Sequence, residues 1–494
     1  MRAPETGVTV RMYRTGFGDC FLLAFRGDDG KPVYMLIDCG VHSQYKGGGD
    51  KIREVVNDLR AATGGHIEIV AITHEHADHI SGFYAGQEIF KEMAVSQAWF
   101  GWTEDINNPE VNAIKRQRAL MLHALQATQQ SLAAAGNTEA GGIGGLLGFF
   151  EVAGEKDEVF GFKSADAMNI VRNKVSKPQY LKPKCAPLAV PRVQGVRIFV
   201  LGPPLDRKHL MQAEPGGNRG EVYGLATAML SVMGEPSIGG ETFQPFPGNY
   251  RILADVVREQ NERFPFFHQR YGFSDADPDA WRRIDVDWSS EAESLALKLD
   301  AATNNTSLVL AIELPKSKRV LLFAGDAQVG NWESWHEGGW SEENGLAKGE
   351  TITAQDLLAR TVLYKVGHHG SHNATLKEKG LEMMTSDELV AMIPVDQSWA
   401  EARKPNPWLM PFHPLYEDLE RRTKGRILRT DTGITAPPGR TTDWGALHPV
   451  EDKNRLYLEL TIPDRPAGSR HPARAGSKRP PAKQRAPRTR LKRS

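Results

Sequence analysis

The stretch 73–82 reads THEHADHISG and follows directly on IEIVAIT (67–73), a β-branched run with the pattern of a short strand. It places His74, His76, Asp78 and His79 within six positions. In an extended segment, residues two apart project to the same side, so His74 and His76 can reach one cation. The chain must then turn into a helix near Ala77, where Asp78 and His79 can face a second cation beside the first. Zinc accepts this mixture of imidazole and carboxylate, and two metals about 3.5–4 Å apart can share an activated water. A polar surface loop would explain one histidine, but it fits poorly with H-x-H-x-D-H at the end of a strand.

Four ligands in one turn need partners from elsewhere, and other apolar runs end in suitable residues. YMLIDCG ends in Asp38, VLLFAGDA in Asp326, and YKVGHHGSH in His368 and His369, while MPFHPLYEDL offers His413. Each has an ordinary structural explanation. Asp38 and Asp326 suit turns beside glycine, and His413 suits a helix start. Strand ends gather on one rim of an α/β fold, however, and together these residues read as one site.

The 494-residue chain exceeds one minimal domain and can bury a large core with insertions. No apolar run approaches the roughly 20 residues that span a bilayer. The start, MRAPETGVTVRMYRTG, has no uninterrupted apolar core of a signal peptide, so a cytoplasmic location is expected. Cys20, Cys39 and Cys185 lack CxxC spacing and are expected to be free thiols. Strand patterns occupy 8–40 and 67–73, then return in 195–204, 306–327, 361–369, 389–395, 425–436 and 455–463. Between them, 50–61 has helical apolar spacing and 109–135 reads as a long helix. Residues of about 100–190 and 205–295 read as insertions. EAGGIGGLLGFF (139–150) is glycine-rich but has no Gly-Lys-Ser/Thr ending, which argues against a phosphate loop and for a hinge or close helix contact.

The zero formal net charge conceals an asymmetry. Eleven of the 61 basic residues lie in 465–494, which has no acidic residue; the remainder carries 50 basic against 61 acidic residues. The expected organisation is therefore one folded unit over 1–464 and a basic, disordered tail over 465–494.

HEHADH with MLIDCG, FAGD and a late histidine resembles the metallo-β-lactamase superfamily of metal hydrolases. GDC (18–20), NNTSLVL (304–310), VLLFAGD (320–326), VLYKVGHHGS (362–371), FHPLYEDLE (412–420) and ILRTDTGI (427–434) resemble the hydrolase domain of ComEC-type competence proteins. The matching blocks cover about 8–82 and 195–436, excluding most of 205–295. The resemblance implies an α/β fold, an αββα sandwich, with two divalent ions, zinc or manganese, with iron as a further option. It gives the first ion to His74 and His76 and the second to Asp78, His79 and His413, with Asp326 bridging. His368 or His369 would face a phosphate, and Asp38 would orient a ligand histidine. Relatives often carry another ligand histidine where this chain reads VLGPP; the first ion is therefore expected to be under-coordinated. The membrane channel of the competence proteins is absent.

The chemistry expected of such a site is hydrolysis, with Asp78, His368, His369 and Asp38 as the catalytic set. The resemblance and the basic tail favour a phosphodiesterase or nuclease, with nucleic acid held by 465–494. Two alternatives stay open. One is a small-molecule hydrolase acting on a signalling nucleotide, phospholipid head group, lactone or lactam. The other is a non-catalytic subunit whose insertions, including WFGW and GFFEVAGEKDEVFGF, dock protein partners.

Overall fold

The structure is a computed structural model, described for residues 1–134, 139–150, 164–212, 262–271, 296–404, 407–434, 442–445 and 447–465. The basic tail beyond Arg465, most of 205–295 and residues 151–163 lie outside the described residues.

Two large mixed sheets dominate. The first runs in the order β17 (Val450–Glu451), β18 (Tyr457–Ile462), β1 (Val8–Tyr13), β2 (Cys20–Arg26), β3 (Pro32–Cys39), β4 (His66–Ile72), β5 (Ala94–Gly101), β6 (Gln179–Leu181). The second runs β16 (Gly433–Ile434), β15 (Ile427–Arg429), β14 (Val390–Ile393), β13 (Thr361–Lys365), β10 (Val320–Phe323), β9 (Val309–Glu313), β8 (Arg197–Gly202), β7 (Leu188–Ala189). A small ribbon pairs β11 (Gly339–Trp340) with β12 (Ile352–Thr353).

Strand periodicity explains the layering. In β1, Val8, Val10 and Met12 face a core shared with the second sheet, where Leu321 and Phe323 of β10 meet them. The alternate residues Arg11 and Tyr13 turn outward and bond Asp58 of the helix Gly48–Thr63. That helix buries Ile52, Val55, Val56 and Leu59, the i, i+3, i+4, i+7 stripe expected from sequence. It ends at Gly64 in the left-handed region (φ 63), whose N–H caps the Arg60 carbonyl. On the second sheet, Val320 and Leu322 face outward beneath the helices Val329–Trp335, Ala354–Ala359 and His413–Thr423. Each sheet is thus buried on both faces, which explains why its strands read as near-continuous apolar runs.

The stretch 100–190 is more than an insertion. It contributes β6 and β7, an edge strand to each sheet, and the helix Ser164–Arg172 buries Ala167, Met168 and Val171 in the outer layer of the first sheet. The aromatics of WFGW are also part of the fold. Trp99, Phe100 and Trp102 are all buried, so they offer no docking face. Among the described residues no helix is long and apolar enough to cross a membrane.

The parallel strands position the site. β3 and β4 run parallel in one sheet, and β10, β13 and β14 in the other. Their C-terminal ends meet where Leu308 N–H donates to the Thr73 carbonyl at 2.8 Å, joining the two sheets.

Candidate metal centre

Asp38, at the end of β3, has a left-handed backbone (φ 57). Its Oδ1 accepts from Thr73 N–H (2.8 Å), while its Oδ2 accepts from Thr73 Oγ1 (2.7 Å) and contacts His79 Nδ1 (2.8 Å). A carboxylate accepts only, so His79 carries a ring proton on Nδ1, which leaves Nε2 as the ring atom able to take a metal ion in place of a proton. That Nε2 lies 3.0 Å from Asp326 Oδ2 and 3.6 Å from Asp78 Oδ2.

Close backbone contacts hold Asp78 in place. A Cβ added at Gly40 would stand 2.3 Å from the Asp78 carbonyl carbon, so only glycine fits where β3 meets this turn. Asp19 N–H donates to the Asp78 carbonyl at 2.9 Å. Asp78 itself lies in the first turn of the helix Ala77–Ala85, where the peptide dipoles favour a carboxylate.

The HHGS run separates its two histidines. His368 and His369 both adopt left-handed backbone (φ 44 and 54), an uncommon conformation of the kind that marks functional turns. His369 Nδ1 faces the Pro394 carbonyl at 2.5 Å, so the proton is on Nδ1. Its Nε2 faces Asp78 Oδ2 at 2.9 Å. His368 instead donates its backbone N–H to Asp326 Oδ1 (3.0 Å) and turns its ring toward Gln328.

Asp78, His79, Asp326 and His369 thereby bring four ligand atoms within 4.8 Å of one another, all from buried residues. His74 and His76 lie alongside, with His74 Nε2 3.0 Å from His76 Nδ1 and the His74 and His79 ring centres 4.2 Å apart. His413 does not join them. Its side chain is 81% exposed and faces Glu417 on its own helix at 3.7 Å. Phe412 N–H bonds the Gly370 carbonyl, bringing the helix start to the HHGS turn, yet the imidazole points to solvent. His369 stands in the four-residue group where sequence had placed His413. The expected gap after β8 is present: VLGPP supplies no histidine, and His209 pairs with Asp206 (2.7 Å) and approaches Glu337 (3.6 Å).

Titratable groups are dense at this site. Asp19, Asp38, Asp78 and Asp326 are buried carboxylates, Lys365 is buried beside Asp19 and Asp326, and burial raises the Asp19 carboxyl. Lys365 Nζ pairs with Asp19 and lies 3.1 Å from Asp326 Oδ1. Burial opposes a charged His79, but Asp326, Asp78, Asp19 and Asp38 outweigh it and push the imidazole well above its usual range. His369 moves upward against the same burial cost, chiefly through its bond to Asp78. Burial also raises Asp326, yet His79 and Lys365 together hold it well below the usual carboxylate range. His76, by contrast, is pushed down to about 4, mainly by burial, leaving a neutral ring.

Several polar atoms here are buried without a hydrogen-bond partner: His76 Nε2, Asp78 Oδ1, His79 Nε2, Asp326 Oδ2 and His368 Nε2. Buried polar atoms are almost always satisfied, and the orphans of Asp78, His79 and Asp326, residues whose ligand atoms converge with that of His369, suit a bound ion. The facing pairs have matching distances. His369 Nε2 opposes Asp78 Oδ2, and His79 Nε2 opposes Asp326 Oδ2, at distances that suit either a shared proton or two ligands sharing a cation.

Sequence reasoning missed four contributors. Asp19 and Lys365 frame Asp326, and the signal for Lys365 was a charge inside the apolar run VLYKV. Phe149 and Phe150 end the glycine-rich segment, with ring centres 5.4 and 4.7 Å from that of His76. Phe149 also stacks on Trp408 at 5.3 Å. In comparisons with known proteins, no family model, no curated protein and no solved structure matches this chain.

Proposed function

We propose that this chain is a metal-dependent hydrolase of the metallo-β-lactamase type, with a phosphodiester as substrate. The observation that carries the reading is the convergence of Asp78, His79, Asp326 and His369, whose buried ligand atoms lie within 4.8 Å of one another, with Asp78 Oδ1, His79 Nε2 and Asp326 Oδ2 lacking a hydrogen-bond partner. Such a cluster is costly unless cations enter it.

Asp78, His79, Asp326 and His369 would hold one ion, and His74 with His76 a second, more weakly, because VLGPP at the end of β8 offers no ligand histidine. Divalent ions there would acidify a bound water and neutralise phosphate charge. Asp38 fixes the tautomer of His79, and the Pro394 carbonyl fixes that of His369. Lys365, held by Asp19, steadies Asp326 and offsets part of its charge.

A small phosphodiester is favoured over duplex DNA by one observation. The ligand histidines are fully buried, and Phe149 and Phe150 lie against His76, a cover that suits a narrow entrance. The test is metal analysis of the purified chain with a panel of bis-p-nitrophenyl phosphate, cyclic and linear dinucleotides, single- and double-stranded DNA, RNA and a β-lactam. The expected result is one tightly held ion, a second lost on dialysis, and metal-dependent turnover of small phosphodiesters. Asp78→Ala with His79→Ala should lose the tight ion and the turnover together. A wild-type chain that binds no divalent ion overturns the reading.

A further inference from the structure

His368 is close to the proposed centre but outside its ligand group, and its ring is held by a directional chain of side chains. Ser371 Oγ donates to Asn373 Oδ1 at 3.0 Å. That turns the Asn373 amide nitrogen toward Gln328, where it donates to Oε1 at 2.9 Å. The Gln328 amide is thereby oriented with Nε2 toward His368 Nδ1, 3.2 Å away, and toward Asp300 Oδ2, 3.5 Å away. An amide nitrogen only donates, so His368 Nδ1 must accept. The single proton of a neutral imidazole then sits on Nε2, and that atom is buried with no partner. Gln328 is two residues beyond Asp326, and the His368 backbone N–H already bonds Asp326 Oδ1. The residue that carries the unpartnered N–H is therefore tied through its backbone to the carboxylate that faces His79.

We propose that Gln328, oriented by Asn373 and Ser371, is a positioning residue that fixes His368 as the Nε2–H tautomer, a neutral hydrogen-bond donor to a phosphoryl oxygen of the substrate. A protonated Nε2 has no lone pair, so His368 does not ligate through that atom and is not the base that takes a proton from water. The tautomer follows from the hydrogen bonds alone, whereas the nature of its acceptor rests on the phosphodiesterase reading.

The test uses the zinc-loaded full chain with nitrogen-15 in its histidine rings, and assigns His368 by the signal missing from His368→Gln. Long-range proton–nitrogen spectra distinguish the two neutral tautomers and the cation. The expected wild-type signal is Nε2–H. Gln328→Glu places a carboxylate against Nδ1 and should move the proton there. Asn373→Asp cannot donate to Gln328 Oε1, so the Gln328 amide should reverse and produce the same shift, which guards against one variant failing to fold. With bis-p-nitrophenyl phosphate, kcat should fall about 100-fold in either variant, while KM and bound zinc stay near wild type. A wild-type His368 with its proton on Nδ1, a doubly protonated ring, or an Nε2–H signal unchanged in both variants overturns the proposal. An Nε2–H signal that shifts as expected, in a chain that turns over no phosphodiester, leaves the positioning role standing and overturns the phosphodiesterase reading instead.

Discussion

At the scale of single residues, Asp38 gives the sharpest test of the metal centre. Its left-handed backbone is one that asparagine also tolerates, so Asp38→Asn keeps the turn. Thr73 N–H needs the remaining oxygen at Oδ1, which leaves the new amide nitrogen facing His79 Nδ1. A donor there disfavours the Nδ1 proton and favours a proton on Nε2, where it competes with a metal ion. The expected outcome is a 10- to 100-fold loss of zinc affinity, read by chelator competition, in a chain that still folds; unchanged affinity would refute it. Gly40→Ala acts by sterics instead, because its Cβ has no room against Asp78. It should destabilise the metal-free chain by about 1–3 kcal/mol in urea denaturation. The sequence exposed residues such as Asp38 and Asp326 because each follows an apolar strand. It could not show that His369 rather than His413 turns inward. That depends on two consecutive left-handed residues in the HHGS turn, and on a helix start that aims His413 at solvent.

At the scale of elements, the helix Pro109–Ala134 was legible from its spacing, but its docking was not. Lys115 lies 2.9 Å from Glu75 Oε2 and 2.5 Å from Glu104 Oε2, and Arg118 reaches Glu75 Oε1 at 3.0 Å. Glu75 is the residue between His74 and His76, so this helix is latched to the turn that carries the proposed ligands. No periodicity reveals such a pairing, since its partners are forty residues apart. Lys115→Met would leave Glu104 buried without its nearest cation. We expect a loss of about 2 kcal/mol, reduced from the cost of a fully buried pair because Lys115 is partly exposed. Hydrogen exchange should speed up in 109–150 while β3, β4, β10 and β13 stay protected; uniform exchange would contradict the latch. The pH response has a definite sign. Burial raises the Glu75 carboxyl, but Lys115 and Arg118 outweigh it and bring it down to about 2. A depressed carboxyl stabilises above its unfolded value, near 4.5, and that contribution is lost as pH falls toward 2. Exchange in 109–134, corrected for intrinsic rates, should therefore increase between pH 4.5 and 2 in wild type, and show a smaller increase over that window in Glu75→Gln.

At the scale of the whole molecule, the two sheets were largely legible as apolar runs, because burial on both faces removes polar alternation. What local pattern could not give was closure of the first sheet by β1 against β18, which pairs Val8 with Ile462 across nearly the full sequence. That closure determines where the chain can be cut. Asp464 caps it by accepting from the Lys316 and Ser317 backbone N–H groups, so a variant ending at Arg465 retains every one of these bonds. It loses 466–494 and with them ten basic residues, leaving a body that is strongly acidic. An acidic body repels polyanions at long range, so any affinity of the full chain for nucleic acid has to come mainly from the tail. Ten phosphate contacts would set a limiting slope of about −9 for log Kobs against log[salt] on duplex DNA. The full chain should show a steep slope within that limit and the shortened variant a slope near zero, measured by fluorescence anisotropy between 50 and 200 mM salt. Turnover of bis-p-nitrophenyl phosphate should be the same in both, because the tail supplies none of the site residues. Equal slopes would remove nucleic acid as the tail's partner, and a fall in small-substrate turnover on truncation would mean that the tail reaches the centre itself.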